Sequence, residues 1–434
     1  MLKILRKKAV VVFFCLALVF GLAACGGGGT GSGDTGSSGG GTEIPANKSE
    51  ILIGYAAPLT GPLSIFMGPT DWCEKLCLEV INEQNGGIYV KELDKKLPVR
   101  VIYADTESDP TKASEAASKL VLDDKVDILV GGWTPVGTNP VSAVGERYEV
   151  PTFVFGCPKE SWLEAGPYEW SAGALFVYDL LMTDVINTWN ELDTNKKVGF
   201  VFDSDVDGIT GTETVTRMLD GTDYQIFDPG RFTIGTSDYT SMINFFKDND
   251  CEILIADMIT PDFFLFWEQC HQLGYVPQVM TINKGMHYAN DAAALQNGTG
   301  NGLTFSALWD KNFPFNSELL GGISTLDLAN NWEDEHGEHY PYSIGNDVLM
   351  FEILYDALTR AESLDKATIR DAIYATDLKD TVFGEIKFDA EHVAELPAIT
   401  TQWLPGTKWP FEKTIVSSET FPVIPSHPPV LIPR

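Results

Sequence analysis

Short apolar runs alternate with amphipathic stretches along most of the chain, beginning at Ile51-Leu52-Ile53-Gly54-Tyr55-Ala56. A Pro/Gly turn from Pro58 to Pro62 follows, and then a stretch of helical period to about Asn85. This is the order strand, loop, helix. It recurs with strands at 99–103, 126–131 and 152–155 and helices at 111–122 and 139–148. After a break at Trp170 to Gly173 the alternation restarts, with helices at 178–190, 211–219 and 263–273 and strands at 198–202, 253–256 and 278–282. Long helical periods at 342–361 and 367–374 come later, and the proline-rich end from Phe421 has neither period and is expected to wrap the surface. Alternation of this kind predicts an α/β fold with two doubly wound parallel sheets. Ligands of such sheets bind outside the carboxyl ends of the strands. The loops to search are therefore Gly61 to Gly68, Gly131 to Asn139, Gly156 to Trp162, Asp203 to Gly208, Asp257 to Asp262 and Asn283 to His287.

The N-terminal 24 residues break this pattern. Lys3, Arg6, Lys7 and Lys8 precede an apolar stretch from Ala9 to Phe20 that ends in Gly21-Leu22-Ala23-Ala24-Cys25. The run is shorter than the roughly 20 residues that span a bilayer, and its small-residue end reads as a secretory signal cleaved before Cys25. Leu22-Ala23-Ala24-Cys25 resembles a bacterial lipobox, which implies acylation of Cys25 and a membrane anchor on the extracytoplasmic side. From Gly26 to Gly41, ten of 16 residues are glycine, so residues 25–49 form a lipidated linker about 25 to 30 Å in reach. Gly36-Ser37-Ser38-Gly39-Gly40 matches a serine-hydrolase elbow in letters only, since no strand and helix flank it.

The remaining body is too long for one ordinary core and suits two lobes. A net charge of −31, made more negative by loss of the four signal cations, excludes nucleic acid as a partner. Five cysteines remain in the body, namely Cys73, Cys77, Cys157, Cys251 and Cys270, and an odd number cannot all pair. Cys73 and Cys77, one helical turn apart, read as small core residues.

Two further clusters suggest chemistry and fail on spacing. Asp203, Asp205, Asp207 and Gly208 match the first half of a calcium loop, yet its twelfth position is Thr214 where a bidentate glutamate is required. Glu333-Asp334-Glu335-His336-Gly337-Glu338-His339 lacks the zinc-protease order and reads as surface charge. With no phosphate loop and no dinucleotide fingerprint, neither a metal nor a cofactor is expected, and no enzyme is called for.

The segment from Ile51 to Pro158 is similar to the branched-chain amino-acid type of periplasmic binding protein. Four features carry the likeness: Gly54 to Pro62 with Thr60-Gly61-Pro62, the helix ending Ile81-Asn82-Glu83-Gln84-Asn85-Gly86-Gly87-Ile88, Asp105-Thr106 through Asp109-Pro110, and Val150-Pro151 opening a strand. It thins but persists to Gly384-Glu385-Ile386-Lys387-Phe388-Asp389. The resemblance implies two lobes joined by three hinge crossovers near Gly173, Gly302 and Phe383. That places 50–172 with 303–382 in an N-terminal lobe and 173–302 with 383–434 in a C-terminal one.

The resemblance also implies a function. The chain would be a monomeric, extracytoplasmic solute receptor that closes on a small ligand and presents it to an ABC permease. A tethered sensor serving a signalling partner is the alternative reading, and a secreted hydrolase a weaker one. On the positions that match the family, Phe66 would face the apolar part of the ligand, and Trp133 and Thr134 would stand in the hydroxyl-rich third-strand loop. Gly156 and Cys157 would follow the fourth strand, Asp207 would take the place of a family aromatic, and Ile259 and Thr260 would come from the loop Asp257 to Asp262. The acidic partner of an α-ammonium falls near Asn283 or Lys284, neither of them acidic. Burying an ammonium without a counter-charge costs several kcal/mol in effect. The expected solute is thus a small carboxylate, amide, aromatic compound or atypical amino acid, with Lys284 meeting its anionic or carbonyl group.

Overall fold

A computed structural model describes residues 44–433, so the signal segment, the lipobox with Cys25 and nearly all of the Gly/Ser linker lie outside the described residues. Two sheets organise the chain. The first has six strands, all parallel, in the order Val393–Leu396, Ser171–Phe176, Thr152–Pro158, Ile128–Gly132, Ile51–Ala57, Val99–Asp105. The second has seven, in the order Phe411–Ser417, Ile399–Pro405, Thr304–Ala307, Val279–Ile282, Ile253–Asp257, Lys197–Phe202, Gln225–Phe227. Its first two strands are antiparallel additions to a parallel core. Central strands such as Ile128–Gly132 and Ile253–Asp257 are buried along their whole length, as helices on both faces of a parallel sheet require.

Local chemistry explains where helices start. Asp109 accepts the Thr111 and Lys112 N–H groups, Pro110 fills the first helical position, and Ala113, Ala116, Ala117 and Leu120 form the buried stripe of Pro110–Leu122. The helix Ser343–Ala361 is different, being buried on almost every face. The stretch expected as one helix to Asn85 divides into a 3₁₀ turn, Pro62–Met67, then the α-helix Thr70–Leu78 and a π turn, Glu79–Gln84.

The changes of sheet fall later than the sequence suggests. Ser171–Phe176 pairs in the first sheet although Ser-Ala-Gly-Ala looks like a break, so the first crossover follows Phe176 rather than sitting near Gly173. Thr304–Ala307 pairs in the second sheet, which moves the next crossover past Ala307. Gly384–Lys387 forms a hairpin with Asp377–Thr381, and the third crossover lies between Leu396 and Ile399. A two-residue turn before Gly384, at φ 83°, makes that hairpin self-contained.

All five cysteines of the described residues are free and buried, with Cys73 and Cys77 in the first-lobe core. The proline-rich end runs along the second sheet, with Ile432 N–H donating to Gln278 O at 2.9 Å and Val430 N–H to Gln402 Oε1 at 3.0 Å. The acidic stretch at 333–339 is solvated as expected at Asp334, Glu335, His336 and Gly337, but not at its two ends. Glu333 is buried and accepts from Lys408 Nζ at 2.8 Å, His336 stacks on Trp332, and His339 Nδ1 faces Tyr340 O at 2.9 Å. No three metal-ligating groups converge among the described residues.

Candidate ligand cleft

The strand ends of both sheets converge on one cavity of about 70 Å³. From the first lobe, Phe66 in the 3₁₀ turn, Trp133 and Thr134 after Ile128–Gly132, and Gly156 at the end of Thr152–Pro158 line it. Asp207, Asp257, Asn283, Lys284 and His287 come from the second. Phe176, Tyr178, Ser306 and Leu308 stand at the first two crossovers, and Tyr342 precedes the buried helix.

The first-lobe wall is aromatic and held by packing. Phe66 and Trp133 stack with centroids 5.1 Å apart and planes 11° from parallel, and Tyr342 meets both edge-on. Trp133 has φ 82°, a left-handed conformation unusual for a bulky residue and costing about 1–3 kcal/mol. Gly156, at φ 76°, permits it, because a Cβ there would lie 3.2 Å from Trp133 Cα. Thr134 is the N-terminal cap residue of Pro135–Tyr148, but its hydroxyl makes no capping bond and is buried without a partner. The helix end it occupies favours an anionic or carbonyl group.

The second-lobe wall is charged. Asp205 Oδ1 caps Val206–Leu219 by accepting Gly208 N–H at 3.1 Å, and Gly208 passes so close to Asp203 O that a Cβ would sit 2.2 Å from it. The tight turn brings Asp203, Asp205 and Asp207 around Lys284 Nζ, with Asp203 Oδ2 at 3.2 Å, Asp207 Oδ2 at 3.5 Å and a short contact to Asp205 Oδ2. Alongside runs a hydrogen-bonded chain in which Ser306 Oγ donates to Asn283 Oδ1 at 2.9 Å and Tyr178 OH donates to Asp257 Oδ2 at 3.0 Å. Asn283 Nδ2 reaches Tyr178 OH at 3.4 Å.

Burial works against the Lys284 charge, yet Asp207, Asp257, Asp203 and Asp205 together hold it well above the ordinary lysine range. Burial also raises the carboxyls, Asp207 to about 7 and Asp257 to about 6, with Lys284 opposing the rise in both. Asp203 rises through burial and its hydrogen bond with Asp205. Asp205 falls below the usual range, because that same bond and Lys284 outweigh its desolvation. Asp207 keeps one oxygen, Oδ1, buried and unpartnered. On the same side of the cavity, burial and the Lys413 charge hold His287 neutral, at about 3.

Of the residues picked from sequence, Phe66, Trp133, Thr134, Gly156, Asp207 and Lys284 line this cavity. Lys284, however, is already ion-paired to three aspartates, so the expectation that it meets a ligand anion is corrected. Cys157 lies away from the cavity, accepting from Thr138 Oγ1 at 3.2 Å and packing with Val154, Trp162, Leu175 and Val393. Ile259 precedes the helix Thr260–Gln272, and Thr260 Oγ1 accepts Met286 N–H at 2.9 Å, so both serve the loop rather than the cavity. Tyr178 and Ser306 were hidden by the misplaced crossovers that carry them. His287 ended a loop already singled out, and nothing in the periodicity marks Tyr342.

The periplasmic binding protein family matches residues 50–408. Among solved structures, a leucine-binding protein LivK from Thermotoga maritima is 17% identical and superposes with a TM-score of 0.68, over 86% of this chain and 100% of that chain. LivJ from Streptococcus pneumoniae, in complex with isoleucine, is 16% identical with a TM-score of 0.68, over 85% of this chain and 100% of that one. A solute binding protein of an ABC transporter from Rhodopseudomonas palustris, in complex with 3,4-dihydroxy benzoic acid, is 13% identical with a TM-score of 0.67, over 86% and 98%. At these identities the likeness carries the fold alone.

Proposed function

The chain belongs to the periplasmic binding protein family, and on that premise we propose that it is the extracytoplasmic solute receptor of an ABC importer, closing its two lobes on a small dipolar organic solute. The observation that carries this reading is that unpartnered polar atoms stand on opposite walls, Thr134 Oγ1 with Trp133 Nε1 on one and Asp207 Oδ1 with His287 Nδ1 on the other. A buried polar atom without a partner is costly, so a solute that supplies partners on both walls favours the closed form over the open one. Its carboxylate or carbonyl end faces Thr134 and the N-terminus of Pro135–Tyr148, and its N–H or ammonium end faces Asp207.

Asp207 thus supplies the counter-charge that the Asn283-Lys284 loop lacks, which brings amides and atypical amino acids ahead of aromatic compounds. The cavity is smaller than the ~150 Å³ that accepts benzene, and this too argues for a compact solute. No bond in the solute changes. Relatives of this fold were captured with isoleucine and with 3,4-dihydroxy benzoic acid, so the fold leaves the choice to the pocket. Acylated Cys25 and the linker would hold a monomer at the membrane beside its permease.

A thermal-shift screen of the purified protein against amino acids, amides, ureas, aromatic acids and short dicarboxylates tests the proposal. A solute at roughly 100 times its Kd adds about 2.7 kcal/mol. Small amides or short amino acids should give the largest shift. Leucine, isoleucine or valine at the top of the ranking would refute the pocket argument, and silence across the panel would refute the receptor reading.

A further inference from the structure

The charged wall of the cleft carries more acid than base. Asp203, Asp205 and Asp207 follow the strand Lys197–Phe202, and Asp257 ends the strand Ile253–Asp257. Lys284 is the one cation that acts on any of the four among the described residues. The remaining groups that face Asp207 are uncharged. Tyr178, at the start of Tyr178–Asn190, spends its hydroxyl on Asp257, and burial keeps both that phenol and the Cys157 thiol of the first lobe protonated.

Fully ionised, the four aspartates and Lys284 would leave three negative charges out of water with no counter-charge, a state that desolvation and mutual repulsion forbid. Protons must make up part of the difference. One is held between Asp203 and Asp205, whose carboxyls are hydrogen-bonded to each other and shifted in opposite directions. Asp257 takes the Tyr178 hydroxyl at 3.0 Å. Asp207 is the least compensated of the four: its Oδ2 lies 3.5 Å from Lys284 Nζ, and its Oδ1 has no partner, on a residue that is 8% exposed and lines the cavity. Burial holds it at about 7, so its proton is the one exchanged near neutrality.

We propose that solute capture in this cleft is coupled to release of one proton from the aspartate cluster, so that the receptor loads as pH rises through neutrality and unloads as pH falls. The inference rests on the dipolar-solute reading above and adds the regulation of that site. The proton leaves the Asp207 carboxyl for the solvent as the donor end of the solute arrives, and no bond in the solute changes. An ammonium replaces the proton charge for charge, so the wall carries the same net charge before and after binding. A neutral amide N–H favours the ionised carboxyl through a hydrogen bond alone, and its coupling is weaker. The sign follows from linkage: the loaded form holds fewer protons than the empty one, so affinity rises with pH up to the value of the empty site and levels off above it.

Isothermal titration of the purified protein with glycine and with acetamide, in buffers of different ionisation heat at about pH 6 and about pH 8, tests the coupling. Neither probe titrates in that range. Glycine should bind roughly tenfold tighter at the higher pH, with close to one proton released per glycine at the lower, read as a dependence of the heat on the buffer. Acetamide should show the same trend at a smaller slope. Asp207→Asn should abolish both the pH dependence and the proton release, which a merely structural role would leave in place. Should that variant fold poorly, the buffer dependence of the unaltered protein decides. Glycine binding with a pH-independent affinity and a buffer-independent heat, an unchanged slope in Asp207→Asn, equal slopes for the two probes, or no heat from either at millimolar concentration would each overturn the proposal. The receptor reading would survive all four, and falls only if the whole solute screen is silent.

Discussion

The two walls of the cleft are built on different physics. On the first lobe, Phe66, Trp133 and Tyr342 interlock as rings around a strained Trp133 backbone, and the orphan groups are neutral, the hydroxyl of Thr134 and Nε1 of Trp133. On the second, Asp203, Asp205 and Asp207 crowd one ammonium within the field of Asp257, and the orphans are an acidic oxygen of Asp207 and Nδ1 of His287. Packing responds to volume and is nearly indifferent to pH, whereas a buried charge cluster responds to proton uptake and to loss of any one member. One wall therefore sets the shape of what fits and the other sets its charge.

Removing the ammonium gives the sharpest test of that contrast. Lys284→Met leaves the carboxylates with no counter-charge and should cost about 3–5 kcal/mol near pH 8. The cost should shrink near pH 5, where protons replace the lysine. The sign follows from linkage. Asp207 and Asp257 titrate higher in the folded state than in the unfolded one, so the stability they contribute is present below the ordinary carboxylate value and is lost as pH rises through about 6 to 7. Phe66→Ala should instead cost about 3–5 kcal/mol at both pH values, through lost packing alone. Urea unfolding of the two variants at each pH checks the pair. Equal pH dependence in both would erase the distinction between the walls.

An intermediate effect is expected at the orphan oxygen itself. Asp207→Asn keeps the shape and removes an acidic charge from a site with more carboxylates than cations. Stability should hold or rise, while solute affinity falls by about 1.5–3 kcal/mol, the worth of a hydrogen bond to a charged group. Calorimetry with the solute found by screening measures the affinity, and thermal unfolding measures the stability. A variant that loses stability and keeps affinity would place the charge-reading group elsewhere on the second wall.

The same contrast separates what was legible in the sequence from what was not. Parallel strands such as Ile51–Ala57 and Ile253–Asp257 are local apolar runs, and the Asp109-Pro110 cap is a local signal, so both lobes could be read from periodicity. Phe66, Trp133 and Asp207 lie in loops that follow strand ends, and within those loops the family resemblance singled them out. The crossovers were misjudged because Ser171–Phe176 owes its place to its neighbours in the sheet rather than to its own composition. Charge pairing across 81 residues, as between Lys284 and Asp203, leaves no local trace, and so Lys284 looked free. Cys157, adjacent to a true lining glycine, alternates to the opposite face of its strand.

The smallest effect should come from one of the contacts that link the lobes. Tyr288, just beyond the charged wall, donates its hydroxyl to Ile65 O in the aromatic wall's turn at 2.5 Å. On the proposed hinge closure the bond belongs to the closed form, because Ile65 lies in the 3₁₀ turn of the first lobe and Tyr288 precedes the helix Ala289–Ala294 of the second. Tyr288→Phe removes it and keeps the ring, so the closed form should lose about 0.5–1.5 kcal/mol relative to the open one. Solute affinity should then fall roughly two- to tenfold, carried mainly by faster dissociation, since closure follows encounter. Stopped-flow release of the solute, with small-angle scattering of the ligand-free variant, would register both the rate and a shift toward the open form. An unchanged release rate would mean that the two walls hold the solute by their own contacts, with no contribution from the latch between them.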